Sequence, residues 1–249
     1  LDYLERIEFD VERRLKYKAL FYLRNNEISQ AHELYECLLS KYNCNCAEYL
    51  NGWIESFQSD LELAEALSAF SGNFPNSLLL KTRYFVVSPF TESFKQSFGL
   101  FINFYLEKGK AACYSLLKSI LFCDKCVDPS EKKEFLLNYL QNIPPSYTSL
   151  LIRVNLHRKL ENYEQAHLLL DLLEPFCTDN NQKLTELHFA RSKVYKNQKN
   201  TSSAVESIQK VQELNPKDRY FNSKTIKYLL LNNDIEQAFQ LMTLFFKDE

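Results

Sequence analysis

Apolar positions along this chain recur at intervals of three and four, not two. Four stretches share one pattern: NNEISQAHELYECLL, LENYEQAHLLLDLLE, QKNTSSAVESIQKVQ and LNNDIEQAFQLMTLF. In each, a short polar turn leads into an Ala, with apolar residues four and seven positions on. These are Tyr35 and Leu38 after Ala31, Leu170 and Leu173 after Ala166, Ile208 and Val211 after Ala204, and Met242 and Phe245 after Ala238. That period marks one face of a helix. A small residue at its centre lets a second, antiparallel helix approach closely while larger side chains fill the flanks. The partner helix is predicted upstream, where Tyr22, His157, Tyr195 and Leu229 each fall nine residues before an Ala.

The last three of these Ala lie 38 and 34 residues apart, close to the roughly 34-residue tetratricopeptide period. NPKD (Asn215 to Asp218) reads as the terminator of a helix pair, with Pro216 where the next helix begins. Between the clear repeats the pattern loosens. FSGNFPNS (70–77) and VVSPFTES (86–93) read as loops, Pro89 as a stop and Thr91 as a new N-cap. Two helices broken near Gly109 follow, then one started by Pro129 and Ser130 with Glu131 in its first turn. NIPPSYTS opens the next repeat, and no long β-alternating stretch is present. The predicted fold is all-α, an α-solenoid of tetratricopeptide-like helical hairpins. Its expected parts are hairpins over 1–69, an irregular helical segment over 70–146, and further repeats over 147–249.

Composition narrows the function. The 249 residues carry a formal net charge of -2, which gives no general attraction to nucleic acid or to an anionic membrane. Any electrostatic function must sit in a local patch. Only four Gly are present and none cluster, which excludes a P-loop or a dinucleotide-binding fingerprint. No apolar run reaches the length of a membrane span. The seven Cys are odd in number and no signal-peptide pattern opens the chain, so free thiols in a reducing cytoplasm are expected. The chain begins at Leu1, not Met, and reads as a piece of a longer protein.

Candidate chemistry is sparse. Cys44 and Cys46 form C-x-C, and Cys123 and Cys126 form C-x-x-C, a zinc-ligand spacing. The pairs are far apart in sequence and only one has the usual spacing, so packing thiols are the favoured reading and no metal is expected. His32, His157, His167 and His188 all fall on predicted helices, and His32 and His167 directly follow a repeat Ala. No hydrolase, zincin or Cys/His signature accompanies them. The aromatic runs YFVVSPF and FGLFINFY, at helical spacing, are read as core.

One segment stands out by charge. Residues 210–228 hold five positive charges (Lys210, Lys217, Arg219, Lys224, Lys227) against two negative (Glu213, Asp218). At 100° per residue, Lys217, Lys224 and Lys227 fall within about 80° of one another, with Tyr220, Ile226 and the Leu run elsewhere. A solvated helix face accounts for this pattern. So does a site for a multiply charged anion, where clustered ammonium groups offset phosphate charge.

The stretch DRYFNSKTIKYLLLNNDIEQA (218–238) resembles the auxiliary, tetratricopeptide-repeat subunit of the NatA N-terminal acetyltransferase, whose pattern is D-R-[FY]-[IF]-N-S-K-x-x-K-Y. HFARSKVYKNQKNTSSAVESIQKVQELNPKDRY, FINFYLEKGKAACYSLLKSI and FPNSLLLKTRYFVVSPFTESFKQSF are similar to that family in the same order, so the resemblance spans about residues 70–249 and more weakly the first 70. Two departures are visible. Gln198-Lys199-Asn200 replaces a family Gly, and Lys110-Ala111-Ala112 replaces a Gly-Pro-Pro-like segment.

The resemblance implies a central fragment of a non-catalytic scaffold that wraps a catalytic acetyltransferase subunit of the GNAT fold. That partner would bind acetyl-CoA and acetylate nascent chains in the cytoplasm near the ribosome exit, with no cofactor in this chain itself. It also implies inositol hexakisphosphate at the scaffold–catalytic interface, held by Lys224 and Lys227, with Lys217 and Arg219 added by proximity. No direct nucleic-acid or membrane partner is implied. The alternative is a generic tetratricopeptide adaptor that clamps the carboxylates of a peptide tail. It needs Lys or Asn at repeated positions on the inner helices of successive repeats, and no such recurrence is read before Ala31 or Ala166.

Overall fold

The structure is a computed structural model that describes residues 10–109 and 113–243. Among the described residues there are fourteen α-helices, one 3-10 turn and no strand. We number the helices α1 (Val11–Arg24), α2 (Ile28–Lys41), α3 (Ala47–Glu55), α4 (Asp60–Asn73), α5 (Leu78–Val87), α6 (Glu92–Glu107) and α7 (Cys113–Leu121). The series continues with α8 (Pro129–Asn142), α9 (Tyr147–Lys159), α10 (Tyr163–Leu173), α11 (Asn181–Asn197), α12 (Thr201–Leu214), α13 (Arg219–Leu231) and α14 (Ile235–Thr243). The chain divides into two units, 1–101 with 115–134, and 102–114 with 135–249.

The repeat Ala do what their size predicts. Ala31, Ala166, Ala204 and Ala238 are at most 1 % exposed, and each sits in the second helix of a hairpin. Their apolar followers Tyr35, Leu38, Leu170, Leu173, Ile208 and Val211 are buried with them. Met242, in the last described helix, departs from the pattern and is 39 % exposed. Phe245 lies outside the described residues, as do Lys110, Ala111 and Ala112.

The four hairpin turns are alike in detail. The residue five before each Ala has a left-handed backbone: Asn26 (φ 62°), Glu161 (φ 60°), Lys199 (φ 63°) and Asn233 (φ 64°). The next N–H then reaches back five residues, from Glu27 to Tyr22, Asn162 to His157, Asn200 to Tyr195 and Asp234 to Leu229, at 2.9–3.0 Å. This is the six-to-one bond that satisfies a helix's last carbonyls. Residues nine before each Ala are therefore the acceptors that close the first helix. The side chains of Asn162 and Asn200 then cap the second helix, accepting from Gln165 and Ser203.

In the first unit, Leu38, Leu39, Leu50, Leu67 and Trp53 form the core under α1 to α4. Gly52 is required there, since a Cβ on it would fall onto the Tyr35 ring. A second nucleus stacks Phe94, Phe98 and Phe101 around Phe85, with ring centroids 5.0–5.7 Å from it. The aromatic runs are core, as their spacing predicts, although Phe104 stays half exposed.

Beside this nucleus lies a fully buried lysine. Lys132 Nζ donates to the carbonyls of Phe85 (2.9 Å) and Val86 (3.3 Å) and lies 4.8 Å from the Phe94 ring. Those carbonyls end α5 and have no intrahelical partner. Thr91 caps α6 as predicted, its Oγ1 accepting from Phe94. Three boundaries shift: Phe70 to Asn73 extend α4, Val86 and Val87 end α5 while Glu92 and Ser93 begin α6, and Pro216 sits in a turn two residues ahead of the N-cap Asp218 and does not start α13.

In the second unit, α9 and α10 pack through Leu150, Val154, Leu169 and Leu170, and α11 closes the same core with Leu187, Ala190 and Val194. Ala204, Ile208, Val211, Tyr228 and Leu229 form the next layer, between α12 and α13.

Candidate functional site

The DRYFNSK segment builds the start of α13. Asp218 Oδ1 accepts from the backbone N–H of Tyr220 (2.8 Å) and of Phe221 (3.3 Å). Asn222, buried, donates to the Pro216 carbonyl at 2.9 Å and ties the preceding turn to the helix. That anchoring sets the direction of the face carrying Lys224 and Lys227.

The four sequence-predicted cations do not share one setting. Lys224 is half-buried and lies 5.1 Å from the Tyr220 ring, so Tyr220 sits with the basic face, not away from it. Lys227 is exposed one turn further on. Lys217 is in the turn ahead of Asp218, so the helical arithmetic that grouped it with Lys224 and Lys227 does not reach it. Arg219 is the first residue of α13, and both it and Lys217 are exposed. Lys210 belongs to α12 and pairs with Glu206 at 3.3 Å.

Three cations that the sequence reading did not select complete the face. Lys193 and Lys196 project from α11, and Arg158 from the end of α9. Lys193 Nζ lies 3.5 Å from the centre of the Phe189 ring, which meets Tyr220 and Phe221 edge-on. Lys196 Nζ is 5.7 Å from the ring of Tyr228 on α13. Burial, then the charges of Arg158, Lys224 and Lys196, push the Lys193 ammonium down to about 8, against a smaller opposing pull from Glu186. Lys196 is pushed down by burial, then by Lys227, Arg158, Lys224 and Lys159. None of Arg158, Lys193, Lys196, Lys224 and Lys227 forms an ion pair among the described residues.

Position in the repeat explains the clustering. Asn155, Lys193 and Lys227 each stand eleven residues before a repeat Ala, and Arg158 and Lys196 each stand eight before one. The recurrence that the sequence reading did not find ahead of Ala166 is therefore present there, in Asn155 and Arg158. It was hidden because the residue type changes from repeat to repeat while the register does not. Ahead of Ala31 the same registers hold Leu20 and Leu23, so the face is confined to the later repeats.

The other candidates stay apart from this face. His32 hydrogen-bonds Ser56 and His167 hydrogen-bonds Gln198, each at 2.8 Å, while burial pushes His157 and His188 down. Cys113 is pushed up to about 12 by burial, and Cys126 and Cys177 are pushed up for the same first reason, which disfavours thiolates. Among the described residues no three His, Cys, Asp or Glu converge as a metal site, and no helix is long and apolar enough to cross a membrane.

Comparison with known proteins bears on the same region. Residues 147–249 match the family model described as N-terminal acetyltransferase A, auxiliary subunit. The human protein named N-alpha-acetyltransferase 16, NatA auxiliary subunit, is 23 % identical over 247 residues, covering 93 % of this chain and 28 % of its own length. Its mouse counterpart is 25 % identical over 175 residues, covering 63 % and 19 %. This chain thus spans less than a third of the length of the curated relatives it matches. A chain from a structure of Naa15/Naa10 bound to HypK-THB superimposes with a TM-score of 0.79 over 98 % of this chain and 38 % of that one, at 21 % identity, and shows the same fold. Residues 147–249, which carry the whole basic face, are thus the part of the chain that is similar to the N-terminal acetyltransferase A auxiliary subunit family.

Proposed function

We propose that this chain is part of a non-catalytic scaffold subunit of an N-terminal acetyltransferase complex. The scaffold holds and positions a catalytic subunit that acetylates the α-amino groups of nascent chains in the cytoplasm. The observation that carries this reading is the family match over residues 147–249, on an array of helical hairpins. The relatives support it, being named auxiliary subunits, and the similar solved chain comes from a complex with Naa10. Stacked hairpins offer long faces for gripping a partner, and this chain has no Gly-rich loop for a pyrophosphate. Acetyl-CoA and the chemistry then belong to the catalytic subunit.

In the same reading, Lys224 and Lys227 hold a multiply charged anion of the inositol hexakisphosphate type at the interface with that subunit, with Lys217 and Arg219 as outer charges. The crowding of unpaired ammonium groups supports it, because a polyanion removes their mutual repulsion. Two measurements test the reading. Co-expression with a Naa10-type catalytic subunit should give a complex that transfers acetyl from acetyl-CoA to a peptide α-amine, while this chain alone transfers none. Failure to co-purify, or transfer by the chain alone, sinks the scaffold role. Lys224→Glu with Lys227→Glu should lower inositol hexakisphosphate affinity, and an unchanged affinity removes the anion site.

A further inference from the structure

The C-x-x-C pair, Cys123 and Cys126, lies in the connection between α7 and α8, and the function proposed above makes no use of it. The backbone N–H of Cys126 donates to the Cys123 carbonyl at 3.0 Å, which closes a turn with Asp124 and Lys125 at its centre. The first and fourth Cα atoms of a β-turn lie less than about 7 Å apart. A disulfide joins residues whose Cα atoms are about 4.4–6.8 Å apart, so this turn brings the two cysteines into bonding range. Their side chains follow the backbone, because a charge on Cys123 acts directly on Cys126. Both thiols are half-buried, whereas Cys113 and Cys177 are sealed in the core.

The turn is also a structural joint. The next residue, Val127, donates its N–H to the Val86 carbonyl at the end of α5 (2.9 Å). Asp128 Oδ2 accepts from the Phe90 N–H at 2.8 Å, on a left-handed backbone with φ at 48°. The Lys132 ammonium bonds the same Val86 carbonyl and is a neighbouring positive charge for Cys126. The Cys126 thiol itself donates to the Val127 carbonyl at 3.5 Å. Dithiol, lysine and the α5–α6 connection thus form one contiguous cluster.

We propose that Cys123 and Cys126 form a reversible dithiol–disulfide site, which takes a small disulfide of the glutathione class as oxidant and clamps the turn that holds the end of α5. The chemistry is two thiol–disulfide exchanges. Cys123 Sγ, as its thiolate, attacks one sulfur of glutathione disulfide, forms a mixed disulfide and expels one glutathione thiolate. Cys126 Sγ gives its proton to solvent and attacks the Cys123 sulfur, and the second glutathione thiolate leaves. The two protein thiols are oxidised and glutathione disulfide is reduced to two glutathione thiols. The order follows from the setting. Burial above all pushes the Cys126 thiol up, which makes it the poorer first nucleophile, while Lys132 favours its thiolate for the second step. In a reducing cytoplasm such a bond is transient and redox-sensing. This inference does not rest on the acetyltransferase reading.

The test is a redox titration of the 249-residue chain in glutathione buffers of rising disulfide fraction, quenched by thiol alkylation and read by mass spectrometry. Trypsin cuts after Lys118, Lys125 and Lys132, so a bond between Cys123 and Cys126 joins two peptides, 119–125 and 126–132, that otherwise separate. The joined pair should appear while Cys113 and Cys177 remain thiols, and dithiothreitol should part it again. Cys126→Ser should stop at the mixed disulfide, with one glutathione kept on Cys123, and Cys123→Ser should take up far less glutathione at Cys126. In the oxidised wild-type chain the amides of Cys126 and Val127 should exchange with solvent several-fold more slowly. Failure of the joined pair to form in buffers where Cys37, Cys44 or Cys46 already carry glutathione overturns the site. A stable mixed disulfide on Cys123 in the wild-type chain overturns it as well. Joined peptides with unchanged amide exchange overturn the clamp. The wild-type titration needs no substitution, so it decides the proposal even where a variant folds poorly.

Discussion

Asn200 donates its backbone N–H to the Tyr195 carbonyl at 3.0 Å, across a turn in which Lys199 holds φ at 63°. A side chain with a Cβ is strained there, and the family Gly that Gln198-Lys199-Asn200 replaces is the residue the conformation favours. Glu161 sits in the equivalent place one hairpin earlier. Lys199→Gly and Glu161→Gly should each stabilise the chain by about 0.5–1 kcal/mol, net of the extra unfolded-state entropy of Gly. Denaturant midpoints measure this. A loss of stability in both variants would refute the account of the turn.

The same turns show what the sequence could reveal and what it could not. The helical period and the four small Ala announced the hairpins, because both follow from local packing rules that need only spacing. The left-handed positions were silent, since the chain fills them with Asn, Glu and Lys and a search for Gly misses them. The Lys224 and Lys227 pair was legible from a local motif. Arg158, Lys193 and Lys196 were not, because the cluster forms across three helices far apart in the sequence. Its register became visible only once the Ala were known to mark one height in every repeat. Lys217 was misplaced for the opposite reason, the helix being assumed to begin before its cap.

The Ala register also predicts a steric result. Ala204 is 1 % exposed, with Ile208, Val211, Tyr228 and Leu229 in the same core layer. Ala204→Leu inserts three carbons where two helices close, and overpacking of this kind costs about 1–3 kcal/mol. The exposed Ser202 two residues earlier is the control, and Ser202→Leu should change the melting temperature little. Equal tolerance at both positions would mean that the Ala is not the contact point of the hairpin.

Lys132 makes a separate test in the first unit. Its ammonium is 0 % exposed and bonded to the carbonyls of Phe85 and Val86. Val86 O also accepts from Val127 N–H at 2.9 Å, so one carbonyl retains a partner when the lysine is removed. Phe85 O does not keep one from that source. Lys132→Met keeps the apolar stem beside Phe94 but leaves that carbonyl buried and under-satisfied, for a net loss of about 1–3 kcal/mol. Chemical denaturation of the variant checks this, and a variant as stable as wild type would show that burying the charge had cancelled its hydrogen bonds.

Lys193 carries the pH prediction. Arg158 from α9, Lys224 from α13, and Lys196 on its own helix all oppose its charge, and Glu186 on α11 favours it less strongly. The folded chain therefore releases this proton near pH 8, whereas the unfolded chain keeps it to the ordinary value of 10.5. Between those values the unfolded state binds more protons, so the contribution of Lys193 to stability rises with pH across that window. The penalty is fully present below about pH 8. Lys193→Met should consequently stabilise the chain most at pH 7, and its advantage should shrink toward pH 10.

Binding of a polyanion reverses the local field and draws the proton back. Near pH 8, titration with inositol hexakisphosphate should therefore take up more protons in the wild-type chain than in Lys193→Met. Calorimetry in buffers of different ionisation enthalpy reads this difference directly, the ligand's own titration being common to both. An identical proton uptake in the two proteins would place the anion out of reach of Lys193. The basic face would then be a set of separate surface charges, with no shared site.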